Sequence, residues 1–326
     1  MAPERYVRPR AIAALAALAV ATLALVAHAA CGGSGGSSSS SSPSAAALVA
    51  TDDSGHQVTL TAPAQRVVSL APANTEIAFA IGAGGKLVAG TSYDDYPAAA
   101  KALPKIGDFQ SPSVEKIVSF RPDLVLATGG IQSGLRAKLE NLGVKVFVVD
   151  PSTLDGVYAD LTSLGRLLGV SGQATRVVDS MKQRANAVEQ KVAGLSRPRV
   201  FVEIYSKPLM TAGKNTFIDN LIGLAGGTNV GSAAGSGYPS FSPEVLFKDN
   251  PDVYVATTGS MQSPGQIAKR SGYSALTAVK DGRVYVIDDN LLVRPGPRLV
   301  DGLEQLAHMI HPEVFGSPSP AASTSP

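Results

Sequence analysis

The segment from Ser171 to Leu195 constrains the fold of this chain more than any other stretch. Its apolar side chains recur at steps of three and four residues, which is the pattern of a single apolar stripe on an α-helix. The residues of this stripe are Ala174, Val177, Val178, Met181, Ala185, Val188, Val192 and Leu195. Ser171 is expected to cap the helix, and Gly194 and Pro198 are expected to end it. Such a helix is roughly 30–35 Å long, about the width of a small domain.

Short apolar runs alternate with helical stripes on both sides of this helix. The runs that predict buried strands are 66–70, 87–90, 124–127 and 144–149 before the helix, and 200–204, 253–256 and 284–287 after it. After the first run, Asn74 is expected to cap a helix. Alternating strands and helices are typical of mainly parallel sheets. The predicted fold class is therefore α/β, with two similar lobes joined by one long inter-lobe helix.

An internal repeat supports two similar lobes. Ser113-Val-Glu115 is followed by the run Pro122 to Thr128, and Ser242-Pro-Glu244 is followed at the same spacing by Pro251 to Thr257. Both runs begin with Pro-Asp and end with Ala-Thr around a predicted strand. Agreement over so many positions favours a duplicated plan.

The N-terminus has the pattern of a lipoprotein signal peptide over residues 1–30. Basic residues precede an apolar run from Ala11 to Ala27, and small residues then lead to Cys31. We expect Cys31 to be lipidated and the protein to lie on the extracytoplasmic face of the cell membrane. His28 departs from the usual cleavage pattern, so an uncleaved membrane anchor is the alternative.

The remaining chain divides by composition. Residues 31–57 begin with a Gly/Ser-rich run that is expected to form a flexible tether, and residues 313–326 are expected to form a disordered tail. Between them we expect an N-terminal lobe over 58–170, the inter-lobe helix over 171–197 and a C-terminal lobe over 198–312.

Composition argues against several functions. A formal net charge of +2 gives no support for nucleic-acid binding, and a single cysteine excludes disulfides and cysteine-based metal sites. The histidines are scattered, so no metal site is predicted. A Gly-x-Ser-x-Gly match at Gly32 to Gly36 lacks the strand and helix that a catalytic nucleophile needs. We therefore expect neither an enzyme nor a bound cofactor.

Ligands of open α/β sheets collect at the carboxyl ends of the strands. The residues that follow the predicted strands or lie in nearby loops are mostly aromatic or apolar, and they include Pro72, Tyr93, Phe109, Tyr238 and Arg294. Two facing lobes would bring these loops into one cleft with few charges, which favours a sizeable, partly apolar ligand.

Three stretches carry a family resemblance. Arg66 to Glu76, Tyr93 to Pro97 and Val114 to Val125 resemble the helical-backbone class of ABC-importer substrate-binding proteins, which take up vitamin B12, ferric siderophores and haem. The resemblance implies a monomer that closes little on its ligand, and an ABC permease as partner. It is nearest to the members that bind vitamin B12, which implies a corrinoid such as cobalamin. A ferric siderophore or haem is the alternative.

By position in the family, the ligand contacts implied by the resemblance are Pro72, Tyr93, Phe109, Met210, Tyr238 and Arg294. Siderophore sites often use several basic residues, and only Arg294 is placed here, which favours the corrinoid. The resemblance also implies that Glu115 and Glu244 meet arginines of the permease. The alternative reading is that each glutamate stabilises the first turn of its helix through the helix dipole.

Overall fold

The computed structural model of the chain describes residues 47–261 and 263–316. The first-lobe elements are, in chain order, β1 (Leu48–Thr51), β2 (Gln57–Leu60), β3 (Val67–Ser69), α1 (Pro72–Ala80), β4 (Leu87–Ala89), α2 (Val114–Ser119), β5 (Leu124–Ala127), α3 (Leu135–Glu140), β6 (Val146–Val148) and α4 (Leu154–Leu167). One long helix, α5 (Ser171–Val192), follows. The second-lobe elements are β7 (Arg199–Ser206), β8 (Leu209–Thr211), α6 (Phe217–Leu224), β9 (Thr228–Asn229), α7 (Pro243–Asp249), β10 (Val253–Thr257), α8 (Pro264–Ala268), α9 (Thr277–Lys280), β11 (Val284–Ile287), α10 (Leu299–Ile310) and α11 (Pro312–Phe315).

Each lobe is built on a mainly parallel sheet. The first sheet has the order β4-β3-β5-β6 and is parallel throughout. The second has the order β11-β10-β7-β8, with β9 also paired to β7, and only β8 runs antiparallel to its neighbour. These sheets confirm the predicted α/β class. Because β4 and β5 flank β3 on opposite sides, the first sheet has a crevice at the carboxyl end of β3.

Helix α5 joins the lobes as the apolar stripe predicts. It runs for 22 residues without a break, which is about 33 Å. Its buried side chains, all from the predicted stripe, are Ala174, Val178, Met181, Ala185 and Val188. They pack against α4 of the first lobe and against α6 and α10 of the second, so one continuous apolar core extends through both lobes. On its polar side, Arg184 binds Asp301 (2.6 Å) and Glu304 (2.5 Å) of α10.

The internal repeat has a structural counterpart in both lobes. Asp123 accepts a hydrogen bond from the backbone N–H of Arg66, which precedes β3 (2.9 Å). Asp252 accepts one from the N–H of Arg199 at the start of β7 (2.8 Å). In each lobe the Pro-Asp step therefore fixes the entry to the first strand of the parallel sheet, which explains why both copies contain it.

Two predicted helix caps are wrong. Val170, rather than Ser171, is the residue preceding α5, and Ala71 is the residue preceding α1. Pro72 begins α1, because its fixed φ suits the first helical position and it has no N–H to satisfy. Asn74 lies inside α1 instead, and its side-chain amide donates to the carbonyl of Ala127 at the end of β5 (3.1 Å).

The first lobe begins earlier than the expected boundary at residue 58, because β1 and β2 form an antiparallel hairpin. Buried Asp52 organises its turn by accepting hydrogen bonds from the backbone N–H groups of Ser54 and His56 (both 3.0 Å). Its second oxygen accepts from the N–H of Val148 (3.0 Å) and pairs with Arg136, which ties the hairpin to the sheet. The expected tail likewise begins too early, since α11 extends to Phe315.

The predicted signal peptide, Cys31 and the end of the predicted tail lie outside the described residues. Among the helices that are described, none is both long enough and apolar enough to cross a membrane.

Candidate functional site

A cavity of about 830 Å³ opens between the two lobes. Its walls are formed mainly by loops at the carboxyl ends of the parallel strands, where ligands of such sheets collect. Five of the predicted positions lie in its lining, which are Pro72, Tyr93, Phe109, Tyr238 and Arg294. We call this cavity the cleft.

Met210 does not line the cleft. It lies in β8, where it is opposite Tyr205 of β7 and forms an isolated bridge with Ser240. The chain turns back after β7 into an antiparallel edge strand, so Met210 does not occupy the cleft position that the resemblance implies. Ile204, near the end of β7, lines the cleft in this part of the second lobe.

The first-lobe wall is held by a residue that sequence reasoning missed. Gln132 is buried, and its side-chain N–H group donates to the carbonyls of Leu70 (2.7 Å) and Phe109 (2.9 Å). Its side-chain carbonyl accepts from the backbone N–H of Thr128 (3.0 Å). One glutamine thus joins the loops after β3 and β5 to the loop that carries Phe109. Nothing in its sequence context distinguishes it from a surface glutamine.

A second buried group holds the loop that carries Tyr93. Asp94 accepts hydrogen bonds from the hydroxyls of Thr91 (2.6 Å) and Thr75 (2.8 Å), and Thr75 belongs to α1. Burial raises the pKa of Asp94, although these hydrogen bonds act in the opposite direction. The carboxyl group therefore fixes the loop against α1 and leaves the ring of Tyr93 59% exposed on the cleft side.

The second-lobe wall contributes a pair of aromatic rings. The centroids of Tyr238 and Phe217 lie 6.3 Å apart at an angle of 59°, and both residues line the cleft. Desolvation, followed by the charge of Asp150, raises the pKa of the Tyr238 hydroxyl. Asp150 follows β6 of the first lobe, so a charge on the opposite wall of the cleft influences the Tyr238 hydroxyl. At neutral pH it remains a neutral hydrogen-bond donor.

Arg294 reaches across the cleft to the first lobe. Its guanidinium donates to Glu76 of α1 (2.9 Å) and to Asp95 (2.6 Å). Arg298 donates to Glu76 through two nitrogens (2.7 and 2.8 Å), and its guanidinium carbon lies 4.1 Å from the ring centroid of Tyr96. We call Glu76, Asp95, Arg294 and Arg298 the inter-lobe ion cluster. It connects the lobes at a second place, besides α5.

Glu115 and Glu244 occupy equivalent positions outside the cleft. Each is exposed in the first turn of a helix, α2 or α7, whose N-cap is a serine, Ser113 or Ser242. A hydrogen bond from Ser242 lowers the pKa of Glu244, so this carboxyl group is ionised at neutral pH. Both glutamates therefore lie where a helix dipole stabilises a negative charge, as the alternative interpretation requires. Each glutamate follows a cleft aromatic residue, Phe109 or Tyr238, by six residues in sequence.

Within the described residues, no group of three or more His, Cys, Asp or Glu side chains is arranged to hold a metal ion. The cleft lining combines aromatic rings, aliphatic side chains such as Val149, Ile204 and Val293, and a few polar groups. This arrangement suits non-covalent binding of a bulky ligand.

Several known proteins resemble this chain in sequence and in fold. A family model described as "Periplasmic binding protein" matches residues 67–291. An uncharacterized ABC transporter substrate-binding lipoprotein of Bacillus subtilis, YvrC, is 36% identical over 82% of this chain and 87% of its own length. The structure of the periplasmic vitamin B12-binding protein of Vibrio cholerae is 30% identical with a TM-score of 0.68, covering 76% of this chain and 97% of that one. A periplasmic haem-binding protein of Pseudomonas aeruginosa is 29% identical with a TM-score of 0.68, covering 77% and 94%.

Proposed function

The chain belongs to the periplasmic binding protein family, as an ABC-importer substrate-binding protein with a helical backbone, and we propose that its ligand is a corrinoid. In this proposal the protein is anchored through Cys31 on the extracytoplasmic face of the membrane, captures the corrinoid in the cleft and delivers it to the permease. Its relatives are substrate-binding proteins, so the proposal includes no enzymatic activity.

The observation that carries the ligand proposal is the size and lining of the cleft. A cavity of about 830 Å³ lies near the upper end of the usual range for small-molecule sites. Tyr93 and Phe109 from one lobe and Tyr238 from the other provide aromatic faces on opposite walls. A broad macrocycle can pack against both walls at once, and similarity to a vitamin B12-binding protein makes a corrin the first choice.

Haem is the second candidate, because the chain is equally similar in fold to a haem-binding protein. Titration calorimetry of the purified full chain with cyanocobalamin, haem and several ferric siderophores separates these ligands. Micromolar or tighter binding of cyanocobalamin alone supports the proposal. Binding of haem or a siderophore, with no heat from cyanocobalamin, refutes it.

Aromatic substitutions test whether the cleft is the site. Phe109→Ala and Tyr238→Ala should each weaken binding by about fivefold or more, since an aromatic contact contributes about 1 kcal/mol beyond the area that it buries. Tyr205→Ala is the control, because Tyr205 is 50% exposed in β7 and does not line the cleft. Equal effects of all three substitutions would place the ligand elsewhere.

We also propose that Glu115 and Glu244 meet basic groups of the permease. Both are exposed, and each lobe supplies one from an equivalent helix. Reversing both charges with lysine should abolish uptake and leave ligand affinity unchanged. The matched control reverses Asp179 and Glu189, which are exposed on α5. If the glutamates only stabilise helix ends, the double reversal lowers stability by about 1–2 kcal/mol and uptake persists.

A further inference from the structure

The charged groups around the cleft do not favour an anionic ligand. Among its described lining residues, Arg294 is the only basic side chain, whereas Asp108 and Asp150 are both acidic. A single arginine would ordinarily be taken as the anchor for a carboxylate or phosphate of the ligand. The contacts of Arg294 argue against that role here.

The guanidinium of Arg294 is already matched by carboxylates of the protein. Nη1 lies 2.6 Å from Oδ1 of Asp95 and 2.9 Å from Oε1 of Glu76, and Nη2 lies 3.3 Å from Oδ2 of Asp95. Burial acts to lower the pKa of Arg294, but the hydrogen bonds to Asp95 and Glu76 outweigh it, and the pKa is raised. The cation is therefore retained for the inter-lobe ion cluster, where an anionic ligand would compete with two protein carboxylates.

The other members of the cluster add no free positive charge. Arg298 is engaged by Glu76, which is only 3% exposed, and by the ring of Tyr96. Two arginines and two carboxylates make the cluster formally neutral. Its field at the cleft is thus that of a neutral group, weaker than the field of a lone guanidinium.

The two remaining acids are not neutralised by a described cation. Asp108 is exposed and accepts a hydrogen bond from the backbone N–H of Ser111 (2.6 Å). The influences on Asp150 are desolvation and the charge of Asp53, which both raise its pKa. No described Lys or Arg forms an ion pair with either carboxyl group. The rim therefore offers hydrogen-bond acceptors and a net negative field.

We propose that the cleft selects by charge: it accepts a bulky ligand that is neutral or cationic and carries amide or other N–H donors at its edge, and it rejects the analogue with carboxylates there. This inference rests on the proposed function, in which the cleft holds the transported ligand. Asp108 and Asp150 accept from the ligand's edge groups, while Asp95 keeps Arg294 from attracting anions.

The direct test uses two ligands that differ by one charge. Cyanocobalamin is neutral, and its monocarboxylic acid replaces one edge amide by a carboxylate of nearly the same shape. In titrations of the full chain at low salt, the acid should bind about fivefold to tenfold more weakly, and the difference should shrink at about 500 mM NaCl. Equal or tighter binding of the acid overturns the inference.

A variant isolates the role of Asp95. Asp95→Asn leaves Arg294 with one carboxylate partner fewer, so the ratio of the two dissociation constants should fall by about threefold or more. Asp179→Asn removes an exposed charge from α5, which contributes no residue to the cleft lining, and should leave the ratio unchanged. A ratio that is unaffected by Asp95→Asn shows that Asp95 does not control the charge preference.

A second ligand series separates failure of this inference from failure of the corrinoid proposal. If neither cobalamin binds, the corrinoid proposal is wrong, and ferrioxamine B (cationic), ferrichrome (neutral) and ferric enterobactin (anionic) become the probes. Binding of the first two and not the third then supports charge selection. Preference for ferric enterobactin or haem overturns it, and so does the failure of every ligand to bind.

Discussion

Glu76→Gln should destabilise the protein strongly, because Glu76 is the central acceptor of the inter-lobe ion cluster. Its carboxylate is 3% exposed and accepts three hydrogen bonds, at 2.9 Å from Arg294 and at 2.7 and 2.8 Å from Arg298. Breaking a buried ion pair typically costs about 3–5 kcal/mol. Two features reduce this value, since the arginine side chains remain 16% and 18% exposed and Arg294 keeps Asp95. We therefore expect a loss of about 2–4 kcal/mol in the free energy of unfolding.

Urea unfolding followed by far-ultraviolet circular dichroism measures this loss as the shift in midpoint multiplied by the slope. Glu304→Gln is the matched control, because Glu304 also pairs with an arginine, Arg184, but both side chains are 38% exposed. Exposed pairs contribute about 1 kcal/mol or less. The reasoning is refuted if Glu76→Gln costs no more than Glu304→Gln, or if the two transitions differ only in slope.

Three further predictions concern other parts of the chain. Desolvation, followed by the charge of Asp53, raises the pKa of Asp160 from 3.8 to about 9, so the folded state keeps a proton that the unfolded state loses. Urea midpoints should therefore fall as the pH rises from about 4 to 9, and Asp160→Asn should reduce this pH dependence. Gly213→Ala should lower the free energy of unfolding by about 1–3 kcal/mol, since the added Cβ would lie 2.3 Å from the carbonyl oxygen of Gly235. Gly172→Ala in α5 is the control, because its Cβ meets nothing within 4 Å and the change should be neutral or stabilising in the same assay. Cys31→Ser should release the protein from the membrane fraction, and continued retention would indicate an uncleaved apolar anchor.

The fold was predictable where the signal is local. The strands 124–127 and 284–287 match the structure because short apolar runs between turn residues are characteristic of buried parallel strands. Helix α5 was predictable because a stripe of that length admits no other regular structure. The hairpin of β1 and β2 was missed, since its strands are short and the contacts that tie it to the sheet, from Asp52 to Arg136 and Val148, span 84 and 96 residues of sequence.

The candidate site likewise has features that the sequence predicts locally and features that depend on distant residues. Loop positions after parallel strands identified the aromatic lining, because strand direction alone brings those loops together. The contacts that order the loops were not predictable, since Gln132 bonds to a carbonyl 62 residues away and Arg298 to a carboxylate 222 residues away. The spacing of residues along the chain does not predict such distant pairs. Met210, which the resemblance implied as a ligand contact, lies outside the cleft lining because an antiparallel strand follows β7.

Two of the connections between the lobes, α5 and the inter-lobe ion cluster, bear on how the cleft can discriminate among ligands. Helix α5 merges the lobes into one core, and the inter-lobe ion cluster joins α1 to the segment before α10 beside the cleft itself. A hinge motion large enough to open the cleft would have to bend a continuous 22-residue helix or separate buried charges, and both are costly. We infer that the cleft is largely preformed, so little binding energy is lost to reorganisation. Selectivity must then come from the shape and charge that the free protein already presents, which is why the carboxylate partners of Arg294 matter more than its own positive charge.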